Sequence, residues 1–317
     1  MDMVSSCLRY EDLLENVVCN ICGCDDHTVI YPPHYELACH GGEVTSEALN
    51  STFRSSGDEI LVDRLVRCRR CGLQYLTPRL KDDVVLNAYR EGSDETFISQ
   101  AAAREETFAR SFKLIERHAA SPGKLLDIGT AGGSFLKVTQ KRGWQVAGCE
   151  PNEWLARWGE RHYGIPVFAG TVFEMKLPDT SFDVVTLWDV LEHTPDPKKI
   201  LLECSRVLKP GGILVVNYPD IGSAVARVMG RRLVFLLSVH LYYFTRATIA
   251  RLLSETGFNV IRQQKHWQSL ELDYILFRTK PYIPRASDAG RALVKTLGLQ
   301  KSHLPYWMGQ SLLLAAR

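Results

Sequence analysis

Asp127 stands two residues ahead of Gly129, and Gly132 and Gly133 follow closely, in the run LLDIGTAGGSFL at 125–136. A glycine turn directly after a short apolar strand lets the backbone come close to a ligand. The dinucleotide fingerprint is G-x-G-x-x-G, and the spacing Asp127-x-Gly129-x-x-Gly132-Gly133 does not match it. The charge points the same way. Two like unit charges about 4 Å apart repel by roughly 1 kcal/mol in water and by more where water is excluded. A carboxylate beside the turn therefore disfavours a pyrophosphate and favours a ligand with an ammonium group and no phosphate.

S-adenosylmethionine is a ligand of that kind, with an α-amino group, a sulfonium and no phosphate. The next apolar run, QVAGCE, ends in Glu150, 21 residues past Gly129. A carboxylate at that place can accept both hydroxyls of a ribose. Gly129, Thr130, Gly132, Gly133, Asp127 and Glu150 are thus the candidate cofactor-binding residues.

Three further groups carry chemistry. CNIC (19–22) and CRRC (68–71) are two C-x-x-C pairs with 45 residues between Cys22 and Cys68. Cys19, Cys22, Cys68 and Cys71 are the expected ligands of a structural Zn2+, and Cys24, Cys39, His34 and His40 are possible substitutes. A glycine follows each pair, Gly23 and Gly72, which helps the chain turn so that amides face the sulfurs. His240, in HLYYFT, is a candidate base, because imidazole takes a proton near neutral pH. Asp189, Glu192 and His193 form an acidic run with a metal-binding reading and a loop-fixing reading, and Tyr218 and Tyr243 stand as packing residues or acceptor contacts.

These residues need a scaffold. The chain has 317 residues, 45% apolar and 23% charged, with a net charge of +2, which argues against a protein that coats nucleic acid. The acidic N-terminus does not read as a secretory signal, and no apolar run is long enough for a bilayer, so a cytoplasmic protein is expected. Nine cysteines then read as thiols or metal ligands. The stretch 221–244 reads as loop and helix, or as a face for a lipid-linked substrate.

From 124 onward, strand-like runs at 124–129, 145–150, 166–170, 182–190 and 212–219 alternate with helical patterns near 133–142, 152–162 and 197–207. Near-continuous apolar strands separated by helices imply an α/β fold with a parallel sheet covered on both faces. A helix is expected within 97–119 and another over 245–258, and a closing edge strand at 310–317. The expected domains are a zinc ribbon over 1–80, a helical linker and cap over 81–123, and a catalytic domain over 124–317, with 266–308 as a candidate substrate lid.

Region 124–260 resembles the class I S-adenosylmethionine-dependent methyltransferases. LLDIGTAGGSFL, GCEPN (148–152), FDVVTLWDVLEHTPDP (182–197), LKPGGILVVNYP (208–219) and HLYYFTRATIARLLSETGF (240–258) carry the resemblance. It implies a seven-stranded Rossmann-like sheet whose last strand runs antiparallel. It also implies that the glycine turn cradles methionine, that Glu150 holds the ribose, and that Trp188 and Asp189 flank the cofactor. Many relatives carry an acid after the third strand for adenine, where this chain has Thr171 and Val172. CGLQYLTPR resembles the zinc ribbon of bacterial methyltransferases that act on sugars and other small metabolites. His240 falls in a stretch similar to the H-x-x-Y-F-S/T of the sugar C-methyltransferases, although those enzymes place a Glu before the His and this chain has Val239.

The expected activity is methyl transfer to a small molecule, first a sugar or glycan precursor, sugar-linked or lipid-linked. The first alternative is O-methylation of a phenolic or quinone-like acceptor. The second is a ribbon that guides the enzyme to a nucleic acid or protein through Arg64, Arg67, Arg69 and Arg70. Nucleic acid is the less favoured partner.

Overall fold

The computed structural model describes residues 10–34, 49, 61–119, 121–280 and 283–317. Cys39 and His40 lie outside them. The central sheet has seven strands: β1 (Lys124–Ile128), β2 (Gln145–Glu150), β3 (Phe168–Ala169), β4 (Phe182–Trp188), β5 (Leu208–Pro219), β6 (Asn259–Lys265) and β7 (Gln310–Ala316). Their order is β3-β2-β1-β4-β5-β7-β6. The first five pair in parallel, and β7 runs antiparallel to both β5 and β6. The strand order reverses between β1 and β4, which opens a crevice beyond their carboxyl ends.

Among the described residues, the α-helices of seven residues or more are α1 (Asp82–Glu91), α2 (Ala101–Glu116), α3 (Ser134–Gln140), α4 (Glu153–Tyr163), α5 (Pro197–Val207), α6 (Arg246–Glu255), α7 (Leu272–Thr279) and α8 (Pro284–Thr296). The sequence starts and stops several of them visibly. Asn152 caps α4 by accepting from Leu155 N at 2.8 Å, and Gly164 ends it at φ +66°. Asp196 caps α5 with Pro197 at its first turn, and Thr245 and Thr248 form a capping box on α6.

Side chains alternate across the strands, so the sheet feeds two cores. Leu125, Val184, Val215 and Leu314 meet Phe112 and Phe135 from α2 and α3. Leu126, Val185, Val216 and Leu313 meet Leu201 and Leu252 from α5 and α6. Each fully buried leucine contributes about 1.5–3 kcal/mol relative to exposure.

Two expectations need correction. QSLLLAAR is not an edge strand: β7 lies between β5 and β6, buried on both faces, as its unbroken apolar run requires. The edge is β6, whose NVIRQQK is mostly exposed and ends in charged and amide side chains. The single helix expected within 97–119 is two, Glu95–Ser99 and α2, because Asp94 caps the first and the chain turns at Gln100.

The N-terminal module is welded to the sheet domain. Strands His27–Tyr31, Leu65–Cys68 and Gln74–Leu76 form an antiparallel sheet that Tyr242–Tyr243, from the segment after β5, completes as the fourth strand. Leu65, Leu73 and Leu76 share one core with β4, β5 and α6. The segment 266–308 inserts between β6 and β7 as two helices, α7 and α8, flanked by a pair of antiparallel strands, Gln268–Glu271 and His303–Tyr306. It packs on α2, where Ser269 N donates to Thr107 Oγ1 at 2.6 Å and His303 pairs with Glu106 at 2.6 Å.

Candidate cofactor and acceptor site

The sheet register brings the ends of β1, β2 and β4 level: Ile128 lies opposite Cys149 and Leu187. The turn after β1 begins when Gly129 N and Thr130 N both donate to Cys149 O, at 2.9 and 3.0 Å. Gly129 adopts φ +68°, and a Cβ there would come within 2.7 Å of Val190 Cγ2. Gly132 meets α4 closely. A Cβ on it would lie 2.7 Å from the Trp158 ring, and a Cβ on Gly159 would lie 2.6 Å from Gly132 O. Gly133, at φ +76°, starts α3. Glycine is thus required here by both backbone angle and contact.

Glu150 is wholly buried and fastens this turn. Its Oε2 accepts from Ala131 N and its Oε1 from Asn152 N, both at 2.8 Å. Asp127 lies beneath the turn, 1% exposed, and accepts from Thr186 Oγ1 on β4 at 2.6 Å. Burial pushes both carboxyls up to about 7, against the pull of these donors.

Asp189 follows β4 in the left-handed region, at φ +51°, and accepts from Asn217 Nδ2 at 2.5 Å. Burial raises it to about 6, and the Arg104 cation opposes the rise. Trp188 is packed against Phe108 and Phe135, with ring centroids 5.2 and 5.0 Å away, and against His266 at 5.7 Å. Its Nε1 is buried without a hydrogen-bond partner among the described residues.

A second group gathers on the loops after β4 and β5. His193 and His240 rings meet edge to face at 4.7 Å. Nδ1 of His193 lies 3.0 Å from Val239 O, and Nδ1 of His240 lies 2.8 Å from Phe235 O. Burial pulls His193 down to about 4, and burial with the neighbouring His193 pulls His240 well below its ordinary value. Glu192 is buried beside them, raised well above the carboxylate range by burial and by Asp189. Tyr218 and Tyr243 are buried and point into the fold, where Tyr218 accepts from Gln263 and Tyr243 donates to Leu237 O.

A family model described as a methyltransferase domain matches residues 101–263. This chain belongs to the class I S-adenosylmethionine-dependent methyltransferases. Curated relatives include ubiquinone biosynthesis O-methyltransferases. That of Hahella chejuensis is 38% identical over 107 residues, covering 32% of this chain and 45% of the relative. That of Chromobacterium violaceum is 35% identical over 106 residues, covering 31% and 45%. The chain therefore spans under half the length of these relatives. Among solved structures, a SAM-dependent methyltransferase from Archaeoglobus fulgidus aligns at a TM-score of 0.49 and 19% identity, covering 71% of this chain and 100% of that one.

Two features near the ends of these strands have almost no signature in the sequence. Arg104 sits one helical turn before Phe108, which packs on Trp188, and its buried cation interacts with Asp189. Its Nε is buried without a hydrogen-bond partner among the described residues, and its guanidinium lies over the Phe97 ring at 3.5 Å. The only sequence signal is an arginine on the apolar side of an amphipathic helix. After β3, Glu174 folds back so that its Oε2 accepts from Thr171 N at 2.6 Å, while Arg90 pairs with it at 3.0 Å. Glu174 is thus an acid after the third strand, two residues past Val172 and three past Thr171.

In the methyltransferase's N-terminal module, Cys19, Cys22, Cys68 and Cys71 converge, with all four sulfurs within 4.8 Å of one another. Cys19 Sγ lies 3.3 Å from Cys71 Sγ, and Cys22 Sγ lies 3.5 Å from Cys68 Sγ. Sulfurs bound to one tetrahedral zinc sit about 3.8 Å apart, so the donor set fits. Gly23 N donates to Cys19 O and Gly72 N to Cys68 O, at 2.8 and 3.0 Å, with φ of +67° and +80°. Cys24 and His34 stand outside the cluster. Of the arginine run, Arg64 turns inward to Thr77 O and Arg69 pairs with Asp26 at 3.3 Å. No helix among the described residues is long and apolar enough to cross a membrane.

Proposed function

We propose that this methyltransferase moves a methyl group from S-adenosylmethionine to an oxygen of a small phenolic or quinone-like acceptor. The observation that carries the reading is the 38% identity to a ubiquinone biosynthesis O-methyltransferase over 107 residues. It favours oxygen on an aromatic acceptor over the sugar or glycan precursor first expected. Val239, in the place where the sugar C-methyltransferases have Glu, fits the same choice.

Bound S-adenosylmethionine supplies an electrophilic methyl carbon for in-line displacement. The chain's own residues bind and align. Glu150, with both oxygens oriented by amides, accepts the ribose hydroxyls. Asp127, under the turn, offers the charge that an ammonium seeks. Gly129, Thr130, Gly132 and Gly133 let the backbone approach, and Trp188 and Asp189 flank the cofactor. Arg104 pairs with the methionine carboxylate, which would satisfy its orphaned Nε. Alignment of acceptor and methyl is the largest part of the work. His240 is the candidate acceptor of the hydroxyl proton. The insertion 266–308, resting on α2, covers the acceptor side. A Zn2+ on the four cysteines serves folding.

Methyl-labelled cofactor offered with catechols and hydroxyquinols, with nucleotide-linked sugars and with RNA tests the reading. Label in an aryl methyl ether is expected. Label on a sugar carbon or on RNA, with none on the aromatic acceptors, contradicts it.

A further inference from the structure

Glu192, His193 and His240 meet inside the fold although the cofactor turn uses none of them. They come from two segments 47 residues apart, the loop after β4 and the HLYYF stretch. The weld between them is backbone: Leu241 N and Tyr242 N both donate to Glu192 O, at 2.7 and 3.2 Å.

The hydrogen bonds fix the tautomers. Nδ1 of His193 faces Val239 O and Nδ1 of His240 faces Phe235 O. A carbonyl only accepts, so each Nδ1 carries the hydrogen, and each neutral ring keeps its lone pair on Nε2. That is the arrangement of an imidazole prepared as a metal ligand, its other nitrogen held by an outer hydrogen bond. Glu192 adds a carboxylate that is 1% exposed, and neither of its oxygens has a hydrogen-bond partner among the described residues. An unpaired buried carboxylate is costly, and a cation removes the cost. One ligand atom from each of the three residues lies within 4.8 Å of the others. Ligand atoms on one tetrahedral ion sit about 3.4 Å apart, so side-chain adjustment of roughly an ångström closes the site.

We propose that Glu192, His193 and His240 bind a divalent cation of the zinc class, in a site separate from the four cysteines. Two imidazoles and one carboxylate suit Zn2+, Co2+, Fe2+ or Mn2+ and not the all-oxygen preference of Mg2+ or Ca2+. Asp189, the first acid of the run, is not part of it, because its carboxylate is turned to Asn217. Three protein ligands leave a fourth position open, as in catalytic sites. A phenolic oxygen placed there would be more acidic and would release its proton to bulk water, with His240 serving as a ligand in place of the base role proposed for it above. This last step rests on the O-methyl transfer reading, whereas the binding does not.

Titration of the purified full-length chain with Co2+, followed by visible spectroscopy, tests the binding. Cobalt on the cysteines gives an intense thiolate charge-transfer band, and cobalt on nitrogen and oxygen gives d–d bands without it. The expected result is a second equivalent of cobalt with only d–d bands, its affinity at least tenfold lower in His240→Ala and in Glu192→Gln. Circular dichroism and S-adenosylhomocysteine binding check that the variants fold. A wild-type chain that shows the thiolate spectrum alone overturns the proposal without any variant, and so does unchanged cobalt binding in both folded variants. Failure to methylate aromatic acceptors would remove the proposed activity and leave this binding result standing.

Discussion

Glu150 already accepts from Ala131 N and Asn152 N, so its oxygens are aimed before any ligand arrives. The ribose-holding role proposed for it is readable from sequence because Glu150 ends the second strand, next to the glycine turn. Arg104 is not readable, because its place depends on how α2 crosses the sheet, and no spacing within α2 reports that. The convergence of His193 with His240 is hidden for the same reason: each stands in a separate motif, and the backbone bond from Leu241 to Glu192 joins them. Arg104→Ala is expected to weaken S-adenosylhomocysteine binding about tenfold to a hundredfold, the effect of losing a charged hydrogen bond of about 1.5–3 kcal/mol. Titration calorimetry measures it, and Arg104→Lys should recover part of the loss. The pH dependence follows from Asp127 and Glu150, both raised to about 7 in the ligand-free fold. An ammonium bound nearby favours the ionised form and lowers these values, so binding releases protons. Affinity should rise as pH climbs towards about 7 and level off above it. Calorimetry in two buffers of different ionisation enthalpy, near pH 6.5, reads the released protons. The same shift makes the ligand-free fold lose stability as pH rises from the ordinary carboxylate range through about 7, because the buried acids must ionise.

At the scale of elements, the tightest packing in the site is between a helix and a turn. Gly159 on α4 faces Gly132, and a Cβ would stand 2.6 Å from Gly132 O, a backbone atom that cannot step aside alone. Gly159→Ala should push α4 off the glycine turn and destabilise the fold by about 1–3 kcal/mol, the usual range for overpacking. Thermal unfolding and S-adenosylhomocysteine affinity should fall together in this variant. Gly164→Ala separates the two effects, because nothing lies within 4 Å of its Cβ position. Its strained φ of +66° should lower stability while affinity holds. Strand and helix alternation is legible because the strands are apolar on both faces. The rank of the last strand is less so: its place at the chain's end suggests an edge, whereas the unbroken apolar character of SLLLAAR calls for a neighbour on each side. The exposed Arg262, with Gln263 and Gln264 beside it, marks β6 as the edge.

For the whole molecule, the cysteine module and the sheet domain share a core, and Tyr242–Tyr243 belongs to the module's sheet. Arg79, 3% exposed, bridges them by donating to Pro195 O and to Tyr242 Oη, both at 3.1 Å. The sequence divides these parts at about residue 80, since the C-x-x-C pairs and the strand–helix alternation look like separate units. Their joining through a short strand after β5 carries no periodic signal. A shared core predicts one cooperative unfolding transition by calorimetry, which Cys68→Ser moves to lower temperature as a whole. Two resolved transitions, with only the first sensitive to the substitution, would contradict the weld. The proposed methyl transfer rests on the glycine turn and Glu150 holding the adenosyl cofactor, and titration of S-adenosylhomocysteine into the wild-type chain and into Glu150→Gln measures this most directly. Saturable binding in the wild type, weakened at least tenfold by the substitution, with no binding of NAD, is the predicted result; equal affinity in both proteins, or a preference for NAD, would contradict it.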